Sequence, residues 1–215
     1  MEKHYLPVTR TSRQYLMGNQ EDPEVLWLVL HGFGQQARYF TPKVKVLDNG
    51  RSLVVVAEGL NRFYLEGYNG RVGATWMTSD DREKDIEDNN NYLEDLVCAV
   101  TDQFTSRHCR IKVLAFSQGI ATACRWMAAT HYHVEEAVLW AGSLPPDLDW
   151  EATAHRWKKM KLHYVFGNQD EFFNREKIAG NEQLLKDQDI PYEFHLFDGK
   201  HEMNDEVLLG ILNQD

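Results

Sequence analysis

Short, near-continuous apolar runs recur along the chain: VLWLVL (25–30), SLVVVAE (52–58), IKVLAFS (111–117), EAVLWAG (136–142), LHYVFG (162–167) and YEFHLF (192–197). Each has the length of a strand, and most lack the polar alternation of a half-exposed one. That pattern predicts strands covered on both faces. Helical spacing fills the gaps. Within 83–104, Ile86, Leu93, Leu96, Val97, Val100 and Phe104 mark one apolar stripe. Further helices are predicted over 118–130, about 176–188, and 202–213, where Met203, Val207, Leu208, Ile211 and Leu212 repeat at helical intervals. Strands alternating with helices predict an α/β fold, with a mostly parallel central sheet flanked by helices on both faces. The segment 4–18 alternates weakly (HYLPV, RQYLM) and predicts an antiparallel N-terminal hairpin at the sheet edge, a position that Pro7 suits because it has no N–H to donate. No repeat, low-complexity tract or linker divides the chain, so residues 1–215 read as a single domain.

In open parallel sheets, ligands gather beyond the carboxyl ends of the strands. The residues just after each run are therefore the ones to examine. They are HGFGQQ (31–36), EGLNRFYLEGYNG (58–70), Ser117, AGSLPPD (141–147), GNQDEF (167–172) and DGKHEM (198–203). A serine, an aspartate and a histidine end three different strands, in the chain order of the α/β-hydrolase triad. A serine hydroxyl needs a base to take its proton during attack. Histidine has the right pKa to do so and to return the proton to the leaving group. A carboxylate behind the imidazole fixes its tautomer and stabilises its charged form. Ala115 and Gly119 leave room for a sharp turn at Ser117, and Ala121 and Ala123 let the next helix approach the sheet. In LHGFG, two glycines around Phe33 allow its amide to turn inward. With the amide of Gln118 it forms a candidate pair of donors to an oxyanion.

Plainer readings stand beside these. Ser117 is also a good N-cap for a helix, HGFG alone is an ordinary turn, and His201 alone suits a cap on the last helix. Among the nine histidines, only His201 follows a late strand within a short loop. His163 and His195 lie inside strands, His155 falls in a polar connection, and His31 starts the glycine loop and braces it. For the acid, Asp170 is preferred by its place at a strand end, with Asp147 and Asp149 as rivals. Asp198 is too near His201 in sequence to reach its far nitrogen.

LHGFG, AFSQG, GNQD and GKHEM together resemble the carboxylesterase, lysophospholipase and acyl-protein thioesterase group of α/β-hydrolases, the phospholipase/carboxylesterase family, over about residues 25 to 212. The middle stretch EGLNRFYLEGYNGRVGATWMTSDDREKDIEDNNNYLEDL is similar to the bacterial branch. The resemblance implies nucleophile Ser117, acid Asp170, base His201, and oxyanion donors at Phe33 and Gln118. Two positions depart from the family pattern: Ala115 stands for the first elbow glycine and Ile120 for the second glycine of QGG. The implied activity is a serine carboxylesterase working through an acyl-serine intermediate. Lysophospholipase or acyl-thioesterase action on longer chains is the alternative within the class. A non-catalytic hydrolase-fold binding protein is the alternative outside it. The aromatic loop 62–77 offers Phe63, Tyr64, Tyr68 and Trp76 as walls of an acyl pocket, or as packing within the loop itself.

Composition narrows the partners. The net charge of −10, from 33 acidic and 23 basic residues, disfavours nucleic acid and anionic membranes. No apolar run reaches membrane-spanning length, and the polar N-terminus does not read as a signal peptide, so the expected location is the cytoplasm. The three cysteines have no disulfide or zinc-ribbon spacing. The acidic run 80–88 suits a helix N-terminus, and no local ligand spacing predicts a metal site. No cofactor is expected. The expected partner is a small-molecule ester or thioester, and these motifs encode neither the acyl-chain length nor the oligomeric state.

Overall fold

The computed structural model describes residues 1–105, 108–172 and 175–213. Seven strands form one sheet: β1 (Gln14–Gly18), β2 (Val25–Leu30), β3 (Ser52–Ala57), β6 (Arg110–Phe116), β7 (Val134–Trp140), β8 (Lys161–Gly167) and β9 (Glu193–Phe197), in the spatial order β1-β3-β2-β6-β7-β8-β9. All neighbours run parallel except β1, which pairs antiparallel with β3. A separate hairpin joins β4 (Asn61–Tyr64) to β5 (Val72–Thr75).

The strands are apolar on both faces because both faces are covered. One face packs on α2 (Arg82–Thr101), α3 (Gln118–Ala129), α4 (Trp150–Trp157) and α5 (Arg175–Asp187) through Leu93, Val97, Ile120, Trp126, Trp157 and Leu185. The other packs on α1 (Ala37–Phe40), the 3₁₀ turns of Thr41–Leu47 and α6 (Asp205–Leu212) through Phe40, Val44, Leu208 and Ile211. Ala37, Phe40, Val44 and Leu47 follow a helical spacing that Pro42 interrupts, so this segment changes from α to 3₁₀ winding. Helix α4 replaces the polar connection expected around His155. Asp149 caps it by accepting from the Ala152 amide, and Trp150 stacks near Trp157 at 4.9 Å between ring centroids. Among the described residues, no helix is long and apolar enough to cross a membrane.

The N-terminal hairpin is corrected to a single antiparallel edge strand. Tyr5, Leu6 and Val8 are exposed and belong to no strand. They have no sheet face beneath them to bury the alternation. The segment is instead tethered at Asp81, which accepts from Lys3 and Tyr5.

The strand order sets where a site can form. From β2 the chain moves outward to β3, then crosses back and continues from β6 in the other direction. The reversal lies between β2 and β6, and at such a point the loops beyond the carboxyl ends diverge and leave a crevice.

Candidate active site

Ser117 stands at the end of β6, where the chain turns at once into α3. Its backbone is in the left-handed half of conformational space, at φ 53° and ψ −119°. For a residue with a Cβ this costs about 1–3 kcal/mol, and it persists only where the surroundings enforce it. They do so through close packing. The Ser117 amide donates to the Trp140 carbonyl at the end of β7 (2.8 Å). A Cβ on Gly119 would lie 2.8 Å from the carbonyl oxygens of Leu30 and His31, and one on Gly142 would collide with the Ser117 carbonyl. The turn is thus wedged between the ends of β2 and β7, and glycine is needed on both sides. Ala115 is wholly buried within β6, where a methyl fits between Leu30 and Leu139. Ile120 is also wholly buried and reaches towards Gly142.

His201 enters from the loop after β9. Its Nε2 lies 3.0 Å from Ser117 Oγ, and its Nδ1 lies 2.7 Å from Asp170 Oδ2. Asp170, from the loop after β8, is buried and accepts the Phe172 amide on its other oxygen (2.9 Å). The two loops are stitched together: Asn168 N donates to Phe197 O, Gln169 N to Gly199 O, and Gln169 Nε2 to Asp198 Oδ1. The carboxylate and the imidazole therefore share one rigid corner. Phe116 and Phe172 enclose the His201 ring, at 4.9 and 4.8 Å between centroids.

The rival aspartates are engaged elsewhere. Asp147 binds Arg125 through both oxygens (2.8 and 3.1 Å) and Arg82 (2.7 Å), and Arg125 beside it holds its carboxyl well below the usual carboxylate range. Asp149 caps α4.

The glycine loop after β2 closes the other side. Gly34 has φ 71°, and its amide donates to the Ala74 carbonyl on β5. The Gly32 amide is taken by Gln35 Oε1 (2.9 Å). A Cβ on Gly32 would lie 3.1 Å from the Ser117 Cβ, so this loop passes directly over the serine. Among the described residues, no hydrogen bond takes up the amides of Phe33 and Gln118. The Gln118 side chain faces the other way and anchors the hairpin: Oε1 accepts the Trp76 amide (3.2 Å) and Nε2 donates to Met77 O (3.0 Å).

His31 is the buried brace of this loop. Its Nδ1–H donates to the Gly32 carbonyl (2.7 Å), and its Nε2 accepts the Gly59 amide (3.0 Å). Accepting at Nε2 requires the neutral ring. Burial pushes its pKa down to about 4.

A cavity of about 540 Å³ opens beside Ser117, lined by Phe33, Gln35, Phe116, Gly142, Ser143, Phe172, Lys177 and His201. The four aromatics of the 62–77 loop do not line it. Trp76 is wholly buried, donates its indole N–H to the His31 carbonyl (2.8 Å) and lies against the His31 ring. Phe63 packs on Phe33, and Tyr64 and Tyr68 are exposed. Their place is taken by Phe172 and Ser143, which directly follow strand ends in the GNQDEF and AGSLPPD stretches. Lys177 lies on a helix, where no local signal marks it.

The fold is shared with many solved structures. It superposes on acyl-protein thioesterase 2 of Zea mays with a TM-score of 0.75 at 15% identity, over 95% of this chain and 97% of that one. A carboxylesterase from Mesorhizobium loti gives 0.73 at 14% identity, over 95% of each chain. Esterase PE8 gives 0.72 at 15% identity, over 95% of this chain and 99% of that one. Among curated proteins, no sequence match is found. The phospholipase/carboxylesterase family model matches residues 17–213, from the antiparallel edge strand to the last helix, and on that match the chain belongs to the phospholipase/carboxylesterase family of α/β-hydrolases.

Proposed function

We propose that the protein is a serine hydrolase that cleaves carboxylic esters through an acyl-Ser117 intermediate. The observation that carries this reading is the continuous relay from Ser117 Oγ to His201 Nε2 and from His201 Nδ1 to Asp170. In the acylation step, Ser117 Oγ attacks the ester carbonyl while His201 Nε2 takes its proton. Asp170 stabilises the resulting imidazolium and holds Nδ1 as the protonated nitrogen. Negative charge gathers on the former carbonyl oxygen, where the Phe33 and Gln118 amides are available as donors. Each such donor is worth about 3 kcal/mol in the transition state. The imidazolium then protonates the leaving alcohol, and a water activated by the same ring releases the acid. A thioester follows the same sequence with a thiol leaving group. The acyl-protein thioesterase neighbour keeps that substrate class in view. Phe33, Phe116 and Phe172 around the cavity favour an apolar acyl group over a charged one.

Ser117→Ala tests the reading. Hydrolysis of p-nitrophenyl acetate should fall by up to about a millionfold while the fold is retained. A fluorophosphonate should label the parent at Ser117. Unchanged turnover in the variant, or no adduct on the parent, would refute the assignment, and the missing adduct would favour a non-catalytic binding protein.

A further inference from the structure

A second cluster of reactive side chains lies at the opposite end of the same sheet. His163 on β8 pairs in register with Glu193 on β9, and Val165 with His195, so the two histidines and the glutamate project from one face across two adjacent strands. His163 Nδ1 lies 2.9 Å from His195 Nε2. Glu193 Oε2 lies 3.6 Å from the first nitrogen and 3.8 Å from the second. His163 is four residues before the end of β8, so the cluster is about 13 Å along the strand from the catalytic rim.

We infer that His163, His195 and Glu193 form a binding site for a divalent transition-metal ion, with zinc as the best match. Three potential ligand atoms face one another, and one proton can bridge only the two nitrogens. The carboxylate oxygen then has no hydrogen to accept from either facing nitrogen. A dication satisfies all three. In a tetrahedral zinc site with bonds of 2.0–2.2 Å, ligand atoms sit about 3.3 Å apart, and the three separations here bracket that spacing. Two imidazoles and one carboxylate make a donor set that zinc takes readily, with a fourth position left for water.

The surroundings supply a second, independent feature. The other nitrogen of the fully buried His163 ring lies 3.2 Å from Glu136 Oε1 on β7. Glu136 is itself buried and ion-paired to Lys112 on β6. His163 Nε2 and Glu136 Oε1 are close without hydrogen-bond alignment as placed; a carboxylate in this position fixes a ligating histidine and strengthens its donor atom once the ring turns to meet it. Lys112 and Lys161 flank Glu136 in register. Access is from the sheet edge, where the His195 and Glu193 side chains are 19% and 48% exposed. The sequence reading expected no metal site because the ligands come from strands 30 residues apart with no local spacing. Bound zinc would clip the edge strand β9 to β8, and these are the two strands whose exits carry His201 and Asp170.

The test uses the full chain, freed of metal with a chelator and titrated with zinc chloride by calorimetry and thermal unfolding. One equivalent should bind and raise the melting temperature. His195→Gln and Glu193→Gln, both near the surface of the edge strand, should each weaken binding at least tenfold and remove the melting shift, and Ser117→Ala should retain both. Absence of saturable binding would overturn the inference. So would parental affinity in both ligand variants, which would place the zinc elsewhere, for instance at the surface pair His131 and Glu94.

Discussion

Acid should loosen the glycine loop after β2 through its buried brace, His31. The ring is fully buried, and its pKa of about 4 stands against 6.5 in the unfolded chain. Below pH 6.5 the unfolded chain takes a proton that the folded chain refuses. The contribution of His31 to stability is therefore complete above pH 6.5 and is lost as the pH falls to 4. Its slope is about 1.4 kcal/mol per pH unit, and the whole interval is worth about 3 kcal/mol. That is a large share of the 5–15 kcal/mol typical of a domain. Protonation also puts a hydrogen on Nε2, which opposes the Gly59 N–H donated to it. The assay is urea unfolding of the parent and of His31→Gln at half-unit steps from pH 7.5 to 4. The variant lowers stability at every pH, so the informative quantity is the difference in slope. Every other group is common to both proteins, so its contribution cancels in the difference. The parent curve should fall more steeply by about 1.4 kcal/mol per pH unit between 6 and 4.5. Parallel curves would refute the reasoning, since they would mean that His31 takes up its proton in the folded chain as readily as in the unfolded one.

Four further substitutions test the site itself. Asp170→Asn should lower kcat for p-nitrophenyl acetate by about 10⁴-fold, because an amide there favours the wrong imidazole tautomer. Asp147→Asn should leave kcat within tenfold and instead lower the urea midpoint by weakening the bond to Arg125; the reverse ranking would reassign the acid. Phe172→Ala should cost about 1 kcal/mol in kcat/KM for an apolar acyl ester, roughly fivefold, since this ring, 61% exposed, walls the cavity. Tyr68→Ser, at a side chain left almost wholly in solvent, should change nothing; an effect there with none at Phe172 would move the acyl site to the β4–β5 hairpin.

The strands were legible because burial on both faces removes polar residues from them. The six apolar runs coincide with β2, β3, β6, β7, β8 and β9 to within two residues at either end. The convergence of Ser117, Asp170 and His201 was legible for a topological reason. In a parallel sheet every strand exits on the same rim, so residues 31 and 84 apart in sequence need no local signal to meet. Contacts that depend on how a loop folds back were not legible. The aromatic stretch after β3 reads as a pocket wall by composition alone. Its direction is set instead by the Gln35–Ala74 bridge and by the Gln118 side chain holding Trp76 and Met77. Those contacts turn Trp76 inward as a prop for His31 and leave Tyr68 in solvent. The same asymmetry applies to the His163 cluster. A strand displays two residues of one face at every second position, as Glu193 and His195 do, but only the pairing of β8 with β9 brings His163 opposite them. Residues that work through one strand exit can be read from the chain, whereas residues that work through strand pairing require the register, which a single sequence does not carry.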